Sequence, residues 1–151
     1  MPNWCRNRVT VFGDSEELEK VAKIFKDEKS IFDNIIQSPD WRRLPNEKGE
    51  YAKLEQHKNP KGEVIFETYN FPDGKNDDRW YDWNITNWGT KWDITANQVE
   101  FGYEDSEQLE MEFETAWSPP EEICFRLREM FQNLTITWFY DEPGMCVAGY
   151  L

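Results

Sequence analysis

The chain has 151 residues, enough for one domain with a real hydrophobic core, and carries 30 acidic against 17 basic side chains, a net charge of −13. That balance argues against autonomous binding to DNA, RNA or anionic lipid, which Lys and Arg drive by releasing counterions, and it turns attention to basic partners. A mean hydropathy of −0.87 would suit a disordered chain, but 24 aromatic residues, eight of them Trp, do not.

Residues 8–12, Arg-Val-Thr-Val-Phe, read as a first strand, closed by Gly13-Asp14. Asp14 and Glu17 have the spacing of a capping box, and Leu18, Val21, Ala22 and Phe25 recur on one face, so a helix follows. From about residue 30 to 91 the chain is polar and rich in turn signals, at Ser38-Pro-Asp40, Asn59-Pro-Lys-Gly62 and Phe71-Pro-Asp-Gly74. Because it also holds Trp41, Trp80, Trp83 and Trp88, it reads as an ordered insert, with a short helix over residues 78–85.

A second strand starts near Ile94 or Thr95 and runs to Glu104, with Val99, Phe101 and Tyr103 on one face and Gln98, Glu100 and Glu104 on the other. Asp105-Ser-Glu107 connects it to a third strand, in which Leu109, Met111, Phe113 and Trp117 lie opposite Gln108, Glu110, Glu112 and Glu114. This connection pairs Tyr103 with Leu109, Phe101 with Met111 and Val99 with Phe113; it also sets Glu100 against Glu112 and Gln98 against Glu114. Ser118-Pro-Pro-Glu121 combines an N-cap serine, proline at the first helical position and glutamate at the third. The helix it starts carries Ile123, Cys124, Leu127, Met130 and Phe131 on one face. Residues 134–140 are strand-like, Asp141-Glu-Pro-Gly144 is a turn, and residues 145–151 return as a partner strand.

This order, β-α-insert-β-β-α-β with an added strand, is the split βαβ or ferredoxin-like plan: an α+β fold with an antiparallel sheet and two helices on one face. A single domain over residues 1–151 is predicted, with the aromatic-rich insert after the first helix and a C-terminal hairpin.

Between Trp92 and Phe125 there are ten acidic residues and no Lys or Arg. Alternate side chains on a strand are spaced about 6.6–6.8 Å apart, so Glu110, Glu112 and Glu114 form a regular negative row on the face that the helices leave open. Glu100 directly across from Glu112 is mildly destabilising, an arrangement that folding alone does not favour. Arg6 and Arg8, on the adjacent first strand, can offset part of the row but not all of it. Glu100, Glu104, Glu107, Glu110, Glu112 and Glu114 are therefore the candidate partner-binding residues, against the competing reading of a solvated acidic face. Glu121 and Glu122 have a separate explanation in the dipole of the second helix.

Four strings occur in order along the chain: Met1-Pro-Asn-Trp-Cys-x-Asn-x-Val, Asn87-Trp-Gly-Thr-Lys-Trp-Asp93, Thr115-Ala-Trp-Ser-Pro-Pro120, and Tyr140-x-Glu-Pro-Gly-Met145 with Ala148-Gly-Tyr150. With them the chain resembles the YubB-type ferredoxin-like family, small proteins carried by bacterial plasmids and phages. The resemblance implies a ferredoxin-like fold and a mobile-element origin, and it brings no catalytic residues or cofactor. The fold name refers to topology only, since three scattered cysteines cannot hold an iron–sulfur cluster.

Two further clusters compete for function. Trp83, Trp88, Lys91 and Trp92 could stack a nucleotide or single strand, with Lys91 on a phosphate, although an insert with few aliphatics also needs tryptophans for packing. Asp93, Asp141 and Glu142 could form a carboxylate metal-hydrolase site; with a single His57 and no nucleophile elbow or phosphate loop, no catalytic residue, metal or cofactor is assigned. Cys5, Cys124 and Cys146 fit reduced thiols better than disulfides or a zinc site. No apolar leader and no run of about 18 apolar residues is present, so a cytoplasmic location in a bacterial host is expected. The leading expectation is a non-enzymatic phage or plasmid protein. Its acidic face would dock a basic host surface of the nucleic-acid-binding kind, mimicking nucleic acid in an anti-defence or takeover role, without touching nucleic acid or membrane itself.

Overall fold

Cys5, Asn7, Val9 and Val11 alternate with Trp4, Arg6, Arg8, Thr10 and Phe12, and in the computed structural model, which describes residues 2–151, this alternation builds β1 (Trp4–Phe12). The first set is buried, so β1 can lie at the centre of a five-stranded antiparallel sheet. Its neighbours are β5 (Gln108–Ala116) on one side and β6 (Thr135–Glu142) on the other; β4 (Glu100–Glu104) lies outside β5 and β7 (Val147–Tyr150) outside β6. Val9 meets Met111 and Trp138 across the ladders, and Val11 meets Leu109 and Ile136, which makes one apolar layer. Two helices cover that layer. α1 (Ser15–Phe25) buries Leu18, Val21, Ala22 and Phe25, and α4 (Glu121–Met130) buries Ile123, Cys124 and Leu127. Phe113 is the central ring, 5.8 Å from Phe25, 6.3 Å from Phe32 and 5.6 Å edge-on from Trp138. The ferredoxin-like plan is therefore the fold of this chain.

The polar wiring beneath the helices explains much of the sequence. Asn7, fully buried, accepts a hydrogen bond from Trp138 Nε1 (3.0 Å) and donates to Thr115 Oγ1 (2.9 Å) and to the Cys5 carbonyl (3.2 Å). Thr115 donates onward to the Ser118 carbonyl (2.7 Å), Ser118 Oγ to the Gly89 carbonyl (2.6 Å), and Thr90 Oγ1 to the Ala116 carbonyl (2.9 Å). Side chains from three of the four strings thus tie β6, β1 and β5 to the two turns that flank α4 and precede β4. Each of these side chains, Asn7, Thr90, Thr115, Ser118 and Trp138, thus has a hydrogen-bond partner, as burial demands.

Several local expectations are corrected. Ser118 does not cap α4: the helix starts after Pro120, which takes the N-cap position and has no side-chain cap, and the serine hydroxyl donates to the Gly89 carbonyl. At α1 the Asp14 carboxylate accepts the Glu16 N–H (3.2 Å), but Glu17 Oε2 is buried without a partner, so the capping box is only half formed. Met130 is exposed at the end of its helix. Trp117 has left the strand, with φ 71° and an exposed ring, and does not extend the Leu109–Phe113 row inward. The final turn occupies residues 143–146, so Asp141 and Glu142 still belong to β6.

The second strand is also shorter than expected. Residues 96–98 wind into a 3-10 turn in which Gln98 Oε1 accepts the Thr95 N–H (2.9 Å), and β4 begins only at Glu100. Glu100 pairs with Glu112 and Phe101 with Met111 as predicted, but the register shifts at Gly102, so Tyr103 faces Glu110 and Glu104 faces Leu109. A glycine inside a strand marks such a bulge, and Gly102 was the visible sign. Both thiols in the core, Cys5 and Cys124, are pushed up, to about 12 and about 11, chiefly by burial, whereas Cys146 lies in the exposed final turn.

The chain divides into two compact units, and Ser38–Trp83 forms the second; the flanks of the expected insert, up to Gln37 and from Asn84, belong to the sheet unit. Within Ser38–Trp83 a hairpin of β2 (Lys53–Lys58) and β3 (Val64–Asn70) stands on the Asn59–Gly62 turn, where Asn59 accepts the Lys61 and Glu63 N–H groups. This unit has few aliphatics to bury and is organised round a cation instead. Arg79, at the start of α3 (Arg79–Asn87), donates twice to Asp77 (2.8 Å each) and to the carbonyls of Trp41 (2.9 Å) and Pro45 (3.1 Å). Its guanidinium lies 5.2 Å from the Trp41 and Phe71 rings, and its hydrogen bonds hold the Asp77 carboxyl below the usual range.

Candidate functional site

The helices cover one face of the sheet, and pleating sends every other side chain to the opposite, open face. There β5 presents Glu110, Glu112 and Glu114, and the register places Glu100 of β4 directly across from Glu112. On the other side of β5, Thr10, Arg8 and Arg6 of β1 lie across from Glu110, Glu112 and Glu114. Arg8 Nε reaches Glu112 Oε1 at 3.4 Å, an exposed pair of small energetic weight. Glu110 accepts from the Gln108 amide (2.8 Å). Among the described residues, Glu100 and Glu114 accept no hydrogen bond and form no ion pair, and Arg6 reaches no carboxylate within 4 Å.

Of the six predicted partner-binding residues, four therefore share the open face: Glu100, Glu110, Glu112 and Glu114. Glu104 does not; the Gly102 bulge turns it to the helix side, where Lys26 binds it at 2.8 Å beside the Phe101 ring. Glu107 lies in the exposed turn after β4, a turn closed by Asp105, which accepts the Glu107 and Gln108 N–H groups (2.8 Å each) and is held below the usual carboxylate range by them. The acidity is uneven along the chain: 20 of the 30 carboxylates but only nine of the 17 basic side chains lie outside residues 38–83.

Trp88 and Trp92, the two tryptophans of the candidate cluster that belong to the sheet unit, differ in exposure. Trp88 is buried, with Nε1 donating to the Ile36 carbonyl (2.9 Å) and its ring 6.1 Å edge-on from Phe32. Trp83 falls in the other compact unit. Trp92 stays half-exposed, 6.3 Å from the Trp4 ring, with the Lys91 ammonium over it at 4.6 Å. The signal missed by the sequence reading is Trp4, which the register places on the open face beside the glutamates.

Of the three carboxylates offered as a metal or general-acid site, Asp93 and Glu142 have other work, whereas Asp141 Oδ1 is buried without a hydrogen-bond partner among the described residues. Asp93 Oδ1 accepts the N–H groups of Ile31 (3.1 Å), Phe32 (2.7 Å) and Ile94 (2.7 Å), and Oδ2 that of Asp33 (3.0 Å), which fixes the start of the four-residue helix α2 (Phe32–Ile35). Burial pushes its carboxyl up, against the pull of those four donors. Glu142, buried at the base of the last turn, accepts the Gly144 (3.1 Å) and Met145 (2.5 Å) N–H groups. Among the described residues no group of three or more His, Cys, Asp or Glu is placed to hold a metal ion, and no helix is long and apolar enough to cross a membrane.

The strands, turns and α4 just described, from Asn87 on, are also the part of the chain that a family model matches. Residues 87–151 match the family model of the ferredoxin-like domain in Api92-like proteins. That stretch contains three of the four strings that carry the resemblance, and it supports its ferredoxin-like part. The crystal structure of a protein api92 from Yersinia pseudotuberculosis is similar over 99% of this chain and 93% of that one, with a TM-score of 0.60 and 12% sequence identity, a likeness of fold. No curated protein matches the chain.

Proposed function

We propose that this chain is a non-enzymatic binding protein whose acidic open sheet face docks a basic surface of a host protein, one of the kind that itself binds nucleic acid. The YubB-type resemblance adds the setting, a phage or plasmid acting on the cell that carries it. The observation that supports this reading best is Glu100 lying directly across from Glu112 on the open face, with Glu114 and Glu100 unpaired among the described residues. Such a pairing costs stability in the free protein and gains it when a cation arrives. The sheet holds the carboxylates at the regular spacing a nucleic-acid mimic needs, on a platform fixed by the Phe113 core. A solvated face would share the charge but bind nothing.

Affinity capture from host lysate at low and high salt tests the reading. Docking through carboxylates predicts that partner recovery falls at least about tenfold between about 50 and 500 mM salt, because exposed charges are screened over that range. Recovery that ignores salt would contradict it and favour aromatic stacking at Trp4 and Trp92.

A further inference from the structure

Beside the glutamates the open face is not flat. A groove of about 480 Å³, within the roughly 300–1,000 Å³ range of small-ligand sites, is lined by Trp4, Arg6, Gln98, Glu100, Glu112 and Glu114. We propose that this groove receives an arginine side chain of the partner; the proposal rests on the docking reading above and names the chemistry that it recognises.

The carboxylates alone would ask only for positive charge. Trp4 asks for more. Its ring is 42% exposed at the groove wall and is backed by Trp92 at 6.3 Å, so a large aromatic is held in place without being buried. The same pair already accepts a cation on its far member, where Lys91 sits 4.6 Å over Trp92. Three glutamates against one Arg6 leave the lining with two negative charges in excess. Two of those glutamates are unpaired among the described residues, and the third is bound by Arg8 through Oε1 only. A guanidinium fits this combination better than an ammonium does. It is planar, so one face can lie on the Trp4 indole while its edge donates two parallel hydrogen bonds to Glu114 or Glu100, and it is the more weakly hydrated of the two cations.

The test uses two short peptides of equal length and charge, one with four arginines spaced by Gly-Ser and the other with four lysines, titrated calorimetrically into the full chain at low salt. The arginine peptide should bind at least about fivefold more tightly. Trp4→Leu should abolish that preference by weakening the arginine peptide more than the lysine peptide, and the milder Trp4→Phe should reduce it; Glu100→Gln with Glu114→Gln should weaken both peptides. Equal binding of the two peptides by the natural chain, or a preference that survives Trp4→Leu, overturns the groove and leaves acidic docking standing. Binding of neither peptide overturns both. The comparison of peptides on the natural chain decides even where a Trp4 variant does not fold.

Discussion

Replacing Asp93 by alanine is expected to destabilise the protein by roughly 3 kcal/mol or more, an effect that has nothing to do with catalysis. Ile31 keeps a second acceptor in the Ile94 carbonyl (3.0 Å), but Phe32, Asp33 and Ile94 lose the carboxylate that accepts their N–H groups. Each buried donor left unsatisfied costs about 1–3 kcal/mol, with water relieving part of the total. Asp93→Asn should fall between the two: its carbonyl oxygen can replace Oδ1, while its amide meets the Asp33 N–H donor to donor. Denaturant melts of the three proteins check the order. An Asp93→Ala protein as stable as the natural one would show that these bonds do not hold α2, and would reopen Asp93 as a chemical group.

Gly89→Ala is the second large loss, roughly 2–6 kcal/mol. Gly89 has φ +90°, where a side chain is strained by about 1–3 kcal/mol. A methyl group there would also lie 2.7 Å from the Glu121 nitrogen and 3.1 Å from the Pro119 carbonyl oxygen, and overpacking of this kind adds about 1–3 kcal/mol. Both atoms are backbone at the start of α4, so no rotamer change makes room. What approaches this glycine is the backbone ahead of α4. Because Ser118 donates to the Gly89 carbonyl, the variant should separate α4 from the turn before β4, and thermal unfolding should show the loss. An unchanged midpoint would mean that this contact opens freely.

Where local rules and tertiary packing agree, residues alone were enough. The Leu109, Met111, Phe113 alternation, the Leu18–Phe25 helix face and the Glu100–Glu112 pairing all hold, since each depends on a period that burial then enforces. The misreadings share another cause: one side chain had two uses and sequence rules showed only the local one. Ser118 has a capping position but gives its hydroxyl to Gly89, and Glu104 has the right parity for the open face until Gly102 adds its bulge. The β2–β3 hairpin escaped notice because neither strand has a buried face to impose an alternation, apart from Asn70. Trp4 was read as part of a resemblance and not as a surface, since its place beside Glu114 exists only once β1 pairs with β5. The motif strings supply wiring, Asn7 to Trp138 and Thr115 to Ser118 to Gly89, and they also supply Trp4 and Trp92, whereas Glu100, Glu110, Glu112 and Glu114 lie outside them.

The acidic face is tested most directly by replacing Glu100, Glu110 and Glu112 together with glutamine, which removes three charges at nearly constant size and relieves the opposition of Glu100 and Glu112. The stability of the triple variant should hold or rise slightly, and its capture of the salt-sensitive host partner at low salt should fall at least tenfold, about 1.4 kcal/mol. A folded triple variant that captures the partner as well as the natural chain does would contradict the account.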